Sequence, residues 1–303
     1  MIYSKNKRNK KVKVSVPGSC GELFQGKLGE DNLLISCPID KYSKVTAYLK
    51  SEFVGVKTNE KLPKSLFAVK KFLEKNSQNE VGVELDFESE LLASKGMGSS
   101  TADITAALSS VMILLNNKIN WKLLKEILIS IEPTDSTPWP GLSLFDYKKG
   151  MILQSFGPPP HLDILIFSEK GKIDTIEFNQ NLNSANIDYV SQENKLKKSL
   201  KLIKESIQDK SPEKLGKASI ISAKVHQKIY YRSYLEDLIS LIKKNPGVYG
   251  LNIAHSGTVL GVLVDREREY PDIIEKIKNK YKEINYLYRT KIVGGGVRIE
   301  EKK

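Results

Sequence analysis

A glycine-rich loop that leads into an apolar helix carries the strongest chemical signal in the sequence. Residues 91–115 read LLASKGMGSSTADITAALSSVMILL. Gly96 and Gly98 permit backbone angles that side chains forbid, and the Ser-Ser-Thr that follows supplies hydroxyl and N–H groups where a helix begins. Unpaired N–H groups and the positive end of the helix dipole attract phosphate to such a start. The segment predicts a phosphate-binding loop; the alternative is a Gly-Ser turn that caps an ordinary buried helix.

Two common glycine loops can be tested against the same letters. The Walker loop needs a lysine after its last glycine, and that position is Ser99. A dinucleotide-binding loop needs a third glycine where Thr101 stands. Neither pattern fits, so the loop belongs to another class.

Two acidic residues follow on a segment with three prolines, EPTDSTPWPGLS, at residues 132–143. Glu132 is predicted at the C-terminal end of a helix, where the dipole disfavours a carboxylate, and Asp135 lies three residues further on. A Mg²⁺ ion held between carboxylate, hydroxyl and nucleotide phosphates would satisfy both acids. The alternative is an exposed turn in which Asp135 caps the next segment.

The elements before and after the loop must position these groups. Residues 11–16 alternate like a strand and meet a Pro/Gly-punctuated segment that is predicted to turn sharply. Apolar and helical periodicity predicts strands at 33–38, 43–49 and 81–87, a helix at 61–75, and a helix from Ala102 onward. Asn120 is predicted to cap a further helix, which Pro133 ends.

The second half of the chain predicts a separate lobe. The polar segment 179–191 marks the change, and the predicted domains are residues 1–180 and 181–303. Predicted strands lie at 151–155, 162–167 and 173–178, in two runs flanking a turn within 249–264, and at 290–299. Predicted helices lie at 192–207, 212–230, 233–244 and 271–282.

Composition sets the broad class of the protein. A length of 303 residues favours about two domains, and a hydrophobic fraction of 40% is enough for a core. Cys20 and Cys37 are too few for a disulfide framework and suit a reducing compartment. No apolar run reaches membrane-spanning length, and the first residues lack the apolar core of a secretory signal. We therefore expect a soluble, cytoplasmic protein without a membrane partner.

The net charge of +12, from 48 Lys and Arg against 36 Asp and Glu, suits an anionic partner. Nucleic acid is disfavoured, because lysine greatly outnumbers arginine and no aromatic-rich RNA motif accompanies the charge. Steering of a small anionic substrate is served equally well. Much of the excess lies in a basic leader at residues 5–13 and on the helix predicted at 192–207, which we interpret as solvated faces.

Three separated stretches together resemble the ordered motifs of the galactokinase, homoserine, mevalonate and phosphomevalonate (GHMP) kinases. They are PGSCGE at residues 17–22, the loop at 96–102, and AHSGT at 254–258. The resemblance implies an α+β fold of two lobes. The N-terminal lobe would contain a left-handed βαβ unit, the C-terminal lobe would be ferredoxin-like, and ATP would lie between them.

Within that family, VPGSCGELFQG and EPTDSTPWPGLSLFDYKKG are most similar to the L-threonine kinases of cobalamin assembly. This implies ATP-dependent phosphorylation of the side-chain hydroxyl of L-threonine, giving L-threonine O-3-phosphate for the cobalamin nucleotide loop. Homoserine or another hydroxyl acceptor is the alternative substrate. A non-catalytic ATP-binding sensor of the same fold is the alternative class, although retention of Ser100 and Glu132 argues against it. The oligomeric state stays open.

The resemblance also implies roles for individual residues. Ser100 and Glu132 would bind Mg²⁺, and both would serve catalysis together with Asp135. The nucleotide phosphates would be bound by the loop residues Lys95, Gly96, Met97, Gly98, Ser99, Ser100 and Thr101. Lys95 has a solvated lysine as its alternative interpretation.

The catalytic base departs from the family pattern. In mevalonate-type members an aspartate follows the metal-binding glutamate by about a dozen residues, and Ser143 is the nearest match to that place here. Either Asp135 approaches the acceptor hydroxyl, or the γ-phosphate itself takes the proton, because phosphoryl transfer depends chiefly on positioning and charge neutralisation.

The substrate would be held by the first motif, the Pro-rich loop and the third motif, with Glu22 meeting the ammonium group. The predicted contacts are Ser19, Cys20, Gly21, Glu22, Thr134, Asp135, His255 and Ser256. Cys20 is predicted to be a small packing residue, since no activating base accompanies it. The histidines His161, His226 and His255 lack metal-ligand spacing, and only His255 is predicted near the nucleotide or substrate.

Overall fold

Two long antiparallel strands form the spine of the molecule. The computed structural model describes residues 10–170 and 190–303, and in it β1 (Lys11–Leu28) pairs with β2 (Asp31–Lys50) along most of their length. The predicted sharp turn after residue 16 is wrong, because β1 continues through Pro17 and the following glycines by a series of register shifts. Bulges of this kind absorb residues that a regular ladder cannot pair. The strands predicted at 33–38 and 43–49 are likewise one strand.

A βαβ unit lies against this hairpin. Strand β3 (Gly55–Thr58) runs parallel to β4 (Gly82–Ser89), and helix α1 (Pro63–Lys75) connects them. The other side of β4 pairs antiparallel with β2. The predictions for α1 and β4 are confirmed to within two residues, whereas β3 has no counterpart in the sequence-based prediction.

The glycine loop opens the central helix of the fold, α2 (Ser99–Asn116), most of whose residues are buried. Helix α3 (Trp121–Ile131) follows, and the Asn120 side chain accepts a hydrogen bond from Leu123 N at 3.1 Å, as the capping prediction requires. The hairpin of β5 (Leu142–Asp146) and β6 (Met151–Gly157) then adds to β2.

The second half of the chain builds four antiparallel strands in the order β10–β7–β9–β8, the arrangement expected of a ferredoxin-like lobe. The strands are β7 (Asp163–Glu169), β8 (Val248–Ile253), β9 (Val259–Val264) and β10 (Ile284–Lys291). The helices are α4 (Glu193–Gln208), α5 (Pro212–His226), α6 (Leu235–Ile242) and α7 (Pro271–Lys280). The molecule therefore has the two-lobed α+β fold.

The last predicted strand is two separate pieces. β10 ends at Lys291, and β11 (Arg298–Lys302) returns to the N-terminal half, where it pairs with the start of β1. The predicted strand at 173–178 and the predicted boundary at residue 180 lie outside the described residues, and the boundary stays a prediction.

One continuous sheet crosses both lobes, because β8 is a neighbour of β1 in the strand order. Each lobe buries its own apolar side chains: one cluster packs around α2, β1 and β2, and another packs α6 and α7 against the strands of the ferredoxin-like lobe. None of the described helices is long and apolar enough to cross a bilayer.

Candidate active site

The three sequence motifs meet at one cavity of about 250 Å³, where β1, the start of α2 and the β8–β9 turn come together. Ser19 N donates a hydrogen bond of 2.8 Å to Met97 O, which ties β1 to the glycine loop. The N–H groups of Thr258 and Val259 both donate to Lys95 O, at 3.0 and 2.9 Å, and so tie the β8–β9 turn to the same loop.

Two glycines bring the loop and the β8–β9 turn into direct backbone contact. A Cβ atom placed on Gly257 would lie 2.4 Å from Gly96 Cα, and one placed on Gly96 would lie 2.9 Å from Gly257 Cα. These distances are too short for real carbon contacts, so the close approach requires glycine on both sides. The geometry of the glycine loop is therefore determined by backbone packing.

Gly98 places the start of α2 against the Pro-rich loop. It is the residue before the first helical turn and has left-handed backbone angles, with φ of +63°. A Cβ atom at this position would lie 2.3 Å from Asp135 Oδ2. The Asp135 carboxylate therefore packs directly over the glycine that precedes Ser99 and Ser100, and both serines line the cavity.

Hydroxyl groups fix the Pro-rich loop in place. The Thr101 and Thr134 hydroxyls lie 3.1 Å apart, and Asp135 N donates to the Thr101 hydroxyl at 3.3 Å. Ser36 and Ser136 exchange two backbone-to-hydroxyl bonds, of 2.9 and 3.1 Å. The loop that presents Asp135 is thus held to both α2 and β2.

Two further carboxylates, Glu22 and Glu132, line the cavity with Asp135. Glu22 is buried, and its Oε2 atom has no hydrogen-bond partner. Burial raises the pKa of Glu22 well above its usual range; the Asp135 carboxylate adds to the rise, and a hydrogen bond from Ser36 opposes it. Burial also raises the pKa of Asp135 to about 7, with a further contribution from the negative charge of Glu132. Glu22, Asp135 and Glu132 together form what we call the acidic wall of the cavity.

Glu132 forms an ion pair with a lysine that the sequence analysis did not identify as a site residue. Its backbone leaves helical geometry at the end of α3, and its side chain is only 11% exposed. Lys64, in the first turn of α1, forms an ion pair with it and retains 46% exposure. Both residues line the cavity.

Arg232 supports the β8–β9 turn from behind. This buried guanidinium donates from Nη2 to Gly257 O at 3.1 Å, and its Nε atom lies 3.3 Å from a carboxylate oxygen of Glu169 on β7. A paired and hydrogen-bonded buried charge of this kind fixes the carbonyl that it contacts. Gly257 in turn contacts Gly96, so Arg232 stabilises the position of the glycine loop indirectly, through Gly257.

Comparison with known proteins agrees with this architecture. The family described as the GHMP kinases N terminal domain matches residues 62–138. An L-threonine kinase of Salmonella typhimurium is 31% identical over 309 aligned residues, covering 98% of this chain and 99% of that protein. The chain belongs to the GHMP kinases. It is accordingly an ATP-dependent small-molecule kinase.

One further relative and two solved structures are also similar to this GHMP kinase. An L-threonine kinase of Citrobacter freundii is 29% identical and covers 94% of the chain and 98% of its own length. A homoserine kinase structure from Cytophaga hutchinsonii has a TM-score of 0.74 at 17% identity, with 99% of both chains covered. The Methanococcus jannaschii mevalonate kinase structure has a TM-score of 0.68 at 16% identity, with 92% of this chain and 97% of that chain covered. The two structures show the same fold.

The donor groups of this GHMP kinase fit a magnesium ion that is bound together with nucleotide. No group of three His, Cys, Asp or Glu residues within 10–170 and 190–303 could hold a metal alone. Ser100 and Glu132 line one cavity, and one carboxylate with one hydroxyl is the set that Mg²⁺ completes with phosphate oxygens and water. The mutual repulsion of Glu132 and Asp135 is a second indication, because a cation would relieve it.

The structure places the predicted site residues in two groups. Those that line the cavity are Glu22, Gly96, Met97, Gly98, Ser99, Ser100, Thr101, Glu132, Thr134, Asp135, His255 and Ser256. Ser19, Cys20, Gly21 and Lys95 are not among the lining residues. They contribute through the backbone instead: Lys95 O and Cys20 O accept hydrogen bonds, and Gly21 packs against Ile253.

His255 forms part of the cavity wall as a neutral ring. Its Nδ1 atom lies 2.9 Å from Gln25 Oε1, and its ring packs beside Tyr147 and His226 at centroid distances of 5.1 and 5.5 Å. Burial lowers the pKa of His255 to about 4, so the ring is uncharged at pH 7. His161 is exposed and lies outside the cavity.

Ser143 and Cys20 are packing residues. The buried Ser143 hydroxyl donates to Pro140 O at 3.3 Å and does not line the cavity. Burial raises the pKa of the Cys20 thiol, which therefore stays protonated. The serine in the place of the mevalonate-type aspartate thus has no contact with the cavity, which leaves Asp135 as the carboxylate beside the loop.

Sequence reasoning missed Lys64, Tyr147 and Arg232. Each depends on a partner far along the chain: Glu132, His255 and Gly257 respectively. For Lys64 a local signal was available, because a lysine directly after the proline that starts a helix lies where the dipole disfavours a cation. Such a charge needs a compensating anion nearby.

Proposed function

We propose that this GHMP kinase transfers the γ-phosphoryl group of ATP to the side-chain hydroxyl of L-threonine, giving L-threonine O-3-phosphate for assembly of the adenosylcobalamin nucleotide loop. The observation that carries the proposal is the pair of carboxylates beside the glycine loop, the buried Glu22 and the half-buried Asp135. A substrate ammonium group would compensate the charge of Glu22, which is costly to bury in its ionised form, and Asp135 would remain available as a proton acceptor. The identity to two L-threonine kinases over nearly the whole chain supports the choice of threonine.

The glycine loop and the acidic wall divide the work. The N–H groups at the start of α2 bind the phosphates, and Glu22 binds the ammonium group so that the threonine hydroxyl points toward the loop. Ser100 and Glu132 would hold Mg²⁺, which neutralises charge on the transferring phosphoryl group when it is bound.

Proton transfer is assigned to Asp135. The threonine oxygen forms the new bond to the γ-phosphorus as the bond from that phosphorus to the β–γ bridging oxygen breaks, and ADP leaves with that electron pair. The hydroxyl proton passes to the Asp135 carboxylate. A pKa of about 7 suits a base at neutral pH, because a useful fraction is ionised and still basic. The rival acceptor is an oxygen of the γ-phosphate.

The direct test is ADP release in the presence of ATP and Mg²⁺ with four acceptors: L-threonine, D-threonine, L-serine and L-homoserine. A strong preference for L-threonine supports the proposal. Preference for L-homoserine, which the fold similarity to a homoserine kinase makes the second candidate, overturns the substrate and keeps the reaction class. Absence of turnover on all four favours the sensor alternative.

The role of Glu22 is tested separately by calorimetric titration with L-threonine. Glu22→Gln keeps the side-chain shape and removes the charge, and we expect affinity to fall by at least tenfold, since a charge-assisted bond is lost. Glu88→Gln is the matched control, because Glu88 is an exposed glutamate paired with Lys13 away from the cavity. Equal affinity of the Glu22 variant and the wild type for L-threonine would overturn the proposed contact between Glu22 and the substrate ammonium group.

A further inference from the structure

Lys64 and Glu132 each lie at the end of a helix whose dipole opposes their charge. Lys64 lies in the first turn of α1, whose first turn contains no acidic residue, and the positive end of that helix dipole repels an ammonium group. Glu132 follows the last turn of α3, where the dipole repels a carboxylate. Their ion pair compensates both charges at once.

This compensation lasts only while Glu132 has no other cation. If Glu132 binds Mg²⁺ together with ATP, as the proposed function requires, Lys64 loses its partner at the edge of the same cavity. Among the described residues that line the cavity, Lys64 is the only lysine or arginine. The anion that arrives with the metal is the triphosphate, so the released ammonium group and the phosphate oxygens meet in one place.

We propose that Lys64 is a phosphate-binding residue that exchanges Glu132 for the triphosphate of ATP when nucleotide and metal bind. Its position supplies the mobile cation that the glycine loop lacks, since the loop has Ser99 where a Walker loop has its lysine. Lys64 retains 46% exposure and a flexible side chain, so the exchange needs only a change of rotamer.

The test is calorimetric binding of the β,γ-imido analogue of ATP, with and without Mg²⁺, so that no turnover is involved. Lys64→Gln is expected to weaken binding about tenfold with Mg²⁺, because a charge-assisted bond to phosphate is lost. The loss should be smaller without Mg²⁺, because Lys64 then stays paired with Glu132. Lys64→Arg keeps the charge and is expected to remain within about threefold of the wild type. Circular dichroism and thermal unfolding establish that each variant is folded.

Lys71→Gln is the matched control. Lys71 lies on the same helix two turns further on, and its ammonium group donates to the Ser130 hydroxyl at 2.8 Å outside the cavity. We expect its affinity for the analogue to stay within about twofold of the wild type, since only a distant and screened charge is removed. An equal loss in the Lys64 and Lys71 variants would reduce the effect to net charge and overturn the proposal.

A second comparison separates direct contact from an indirect effect. In the Glu132→Gln background without Mg²⁺, Lys64 has no carboxylate to orient, so any loss from adding Lys64→Gln arises from phosphate contact itself. About a tenfold loss there supports the proposal, and no loss overturns it, leaving Lys64 as a residue that only positions Glu132.

The inference rests on the proposed role of Glu132 but can fail separately. If the wild type binds the analogue and phosphorylates L-threonine while Lys64→Gln binds equally well, only the Lys64 proposal fails. If the wild type does not bind the analogue at all, the proposed function fails first.

Discussion

The two sides of the cavity are built by opposite means. The glycine-loop side is held together by backbone contacts. Ser19 N donates a hydrogen bond to Met97 O, two N–H groups of the β8–β9 turn donate to Lys95 O, and Gly96 packs against Gly257. The acidic wall is made of side chains that come from β1, the end of α3 and the Pro-rich loop. In it the Asp135 charge raises the pKa of Glu22, and the Glu132 charge raises the pKa of Asp135.

The two sides differ in rigidity and in the electrostatic free energy of their buried groups. Backbone contacts between glycines define one shape and tolerate no enlargement, so the loop would be preorganised for the phosphates that we propose it binds. The acidic wall is unfavourable in the empty protein, because burial penalises its charged forms. Ligands that carry positive charge would remove that penalty, and the free energy released would strengthen their binding.

The largest expected effect tests the division of labour within the acidic wall. We expect Glu132→Gln to lower kcat by about a thousandfold, because the proposed Mg²⁺ site would lose a carboxylate, and Asp135→Asn to lower kcat by ten- to a hundredfold. Steady-state ADP release with saturating L-threonine measures both variants. A slower Asp135 variant with substrate binding intact would exchange the two assignments.

The next effect tests the backbone side. Gly257→Ala places a carbon atom 2.4 Å from Gly96 Cα, and we expect the free energy of unfolding to fall by about 3 kcal/mol. Gly294→Ala is the control, since its nearest neighbour would be 3.3 Å away and little adjustment is needed. Urea unfolding followed by circular dichroism measures both. Similar stabilities would show that the Gly96–Gly257 contact is not a tight one.

A smaller effect concerns the cost of the acidic wall. The pKa of Asp135 is about 7 in the folded protein and about 3.9 in an unfolded chain, so folding takes up a proton between those values. Its stabilising contribution is full below about pH 4 and is lost as the pH rises through 7. Without ligands, Asp135→Asn should therefore exceed the wild type in unfolding free energy by about 4 kcal/mol at pH 8.

That difference should shrink toward zero near pH 4, and urea titrations at pH 4, 6 and 8 would follow it. Glu22 continues to titrate in the variant, with a smaller pKa rise because the Asp135 charge is gone. A difference that stays constant across the three pH values would show that Asp135 does not have a raised pKa.

The smallest effect is expected at Ser143. Its hydroxyl donates to Pro140 O and Ser143 does not line the cavity, so Ser143→Ala should leave kcat within about twofold of the wild type. A large loss of kcat without loss of stability would mean that the position of the mevalonate-type aspartate is used after all, and the assignment of Asp135 as the base would fall.

The sequence predicted the backbone side of the site better than the acidic wall. Glycines and small polar residues at fixed spacing define turns and helix starts through local chain geometry, so the loop and the cap at Asn120 were accessible from the letters alone. Lys64 and Arg232 were not accessible, because their partners lie 68 and 25 residues away in the chain. Long β1 was missed because its bulges resemble a turn in sequence.

The same distinction applies to the outer parts of the fold. Helices α1 and α3 repeat apolar residues at helical spacing and could be bounded closely, whereas β3 and β5 are short strands. Short strands are specified by the neighbours with which they pair, and sequence periodicity over four or five residues does not distinguish them from loops.

The narrow junction between β1 and β8 has a mechanical consequence. The two lobes share one sheet, yet β1 and β8 pair only at Glu22 and Ile253. The single ladder pair between the lobes therefore lies at a residue that lines the cavity. A ligand held by Glu22 would stiffen that joint, and slower amide exchange in β8 upon threonine binding would be its signature.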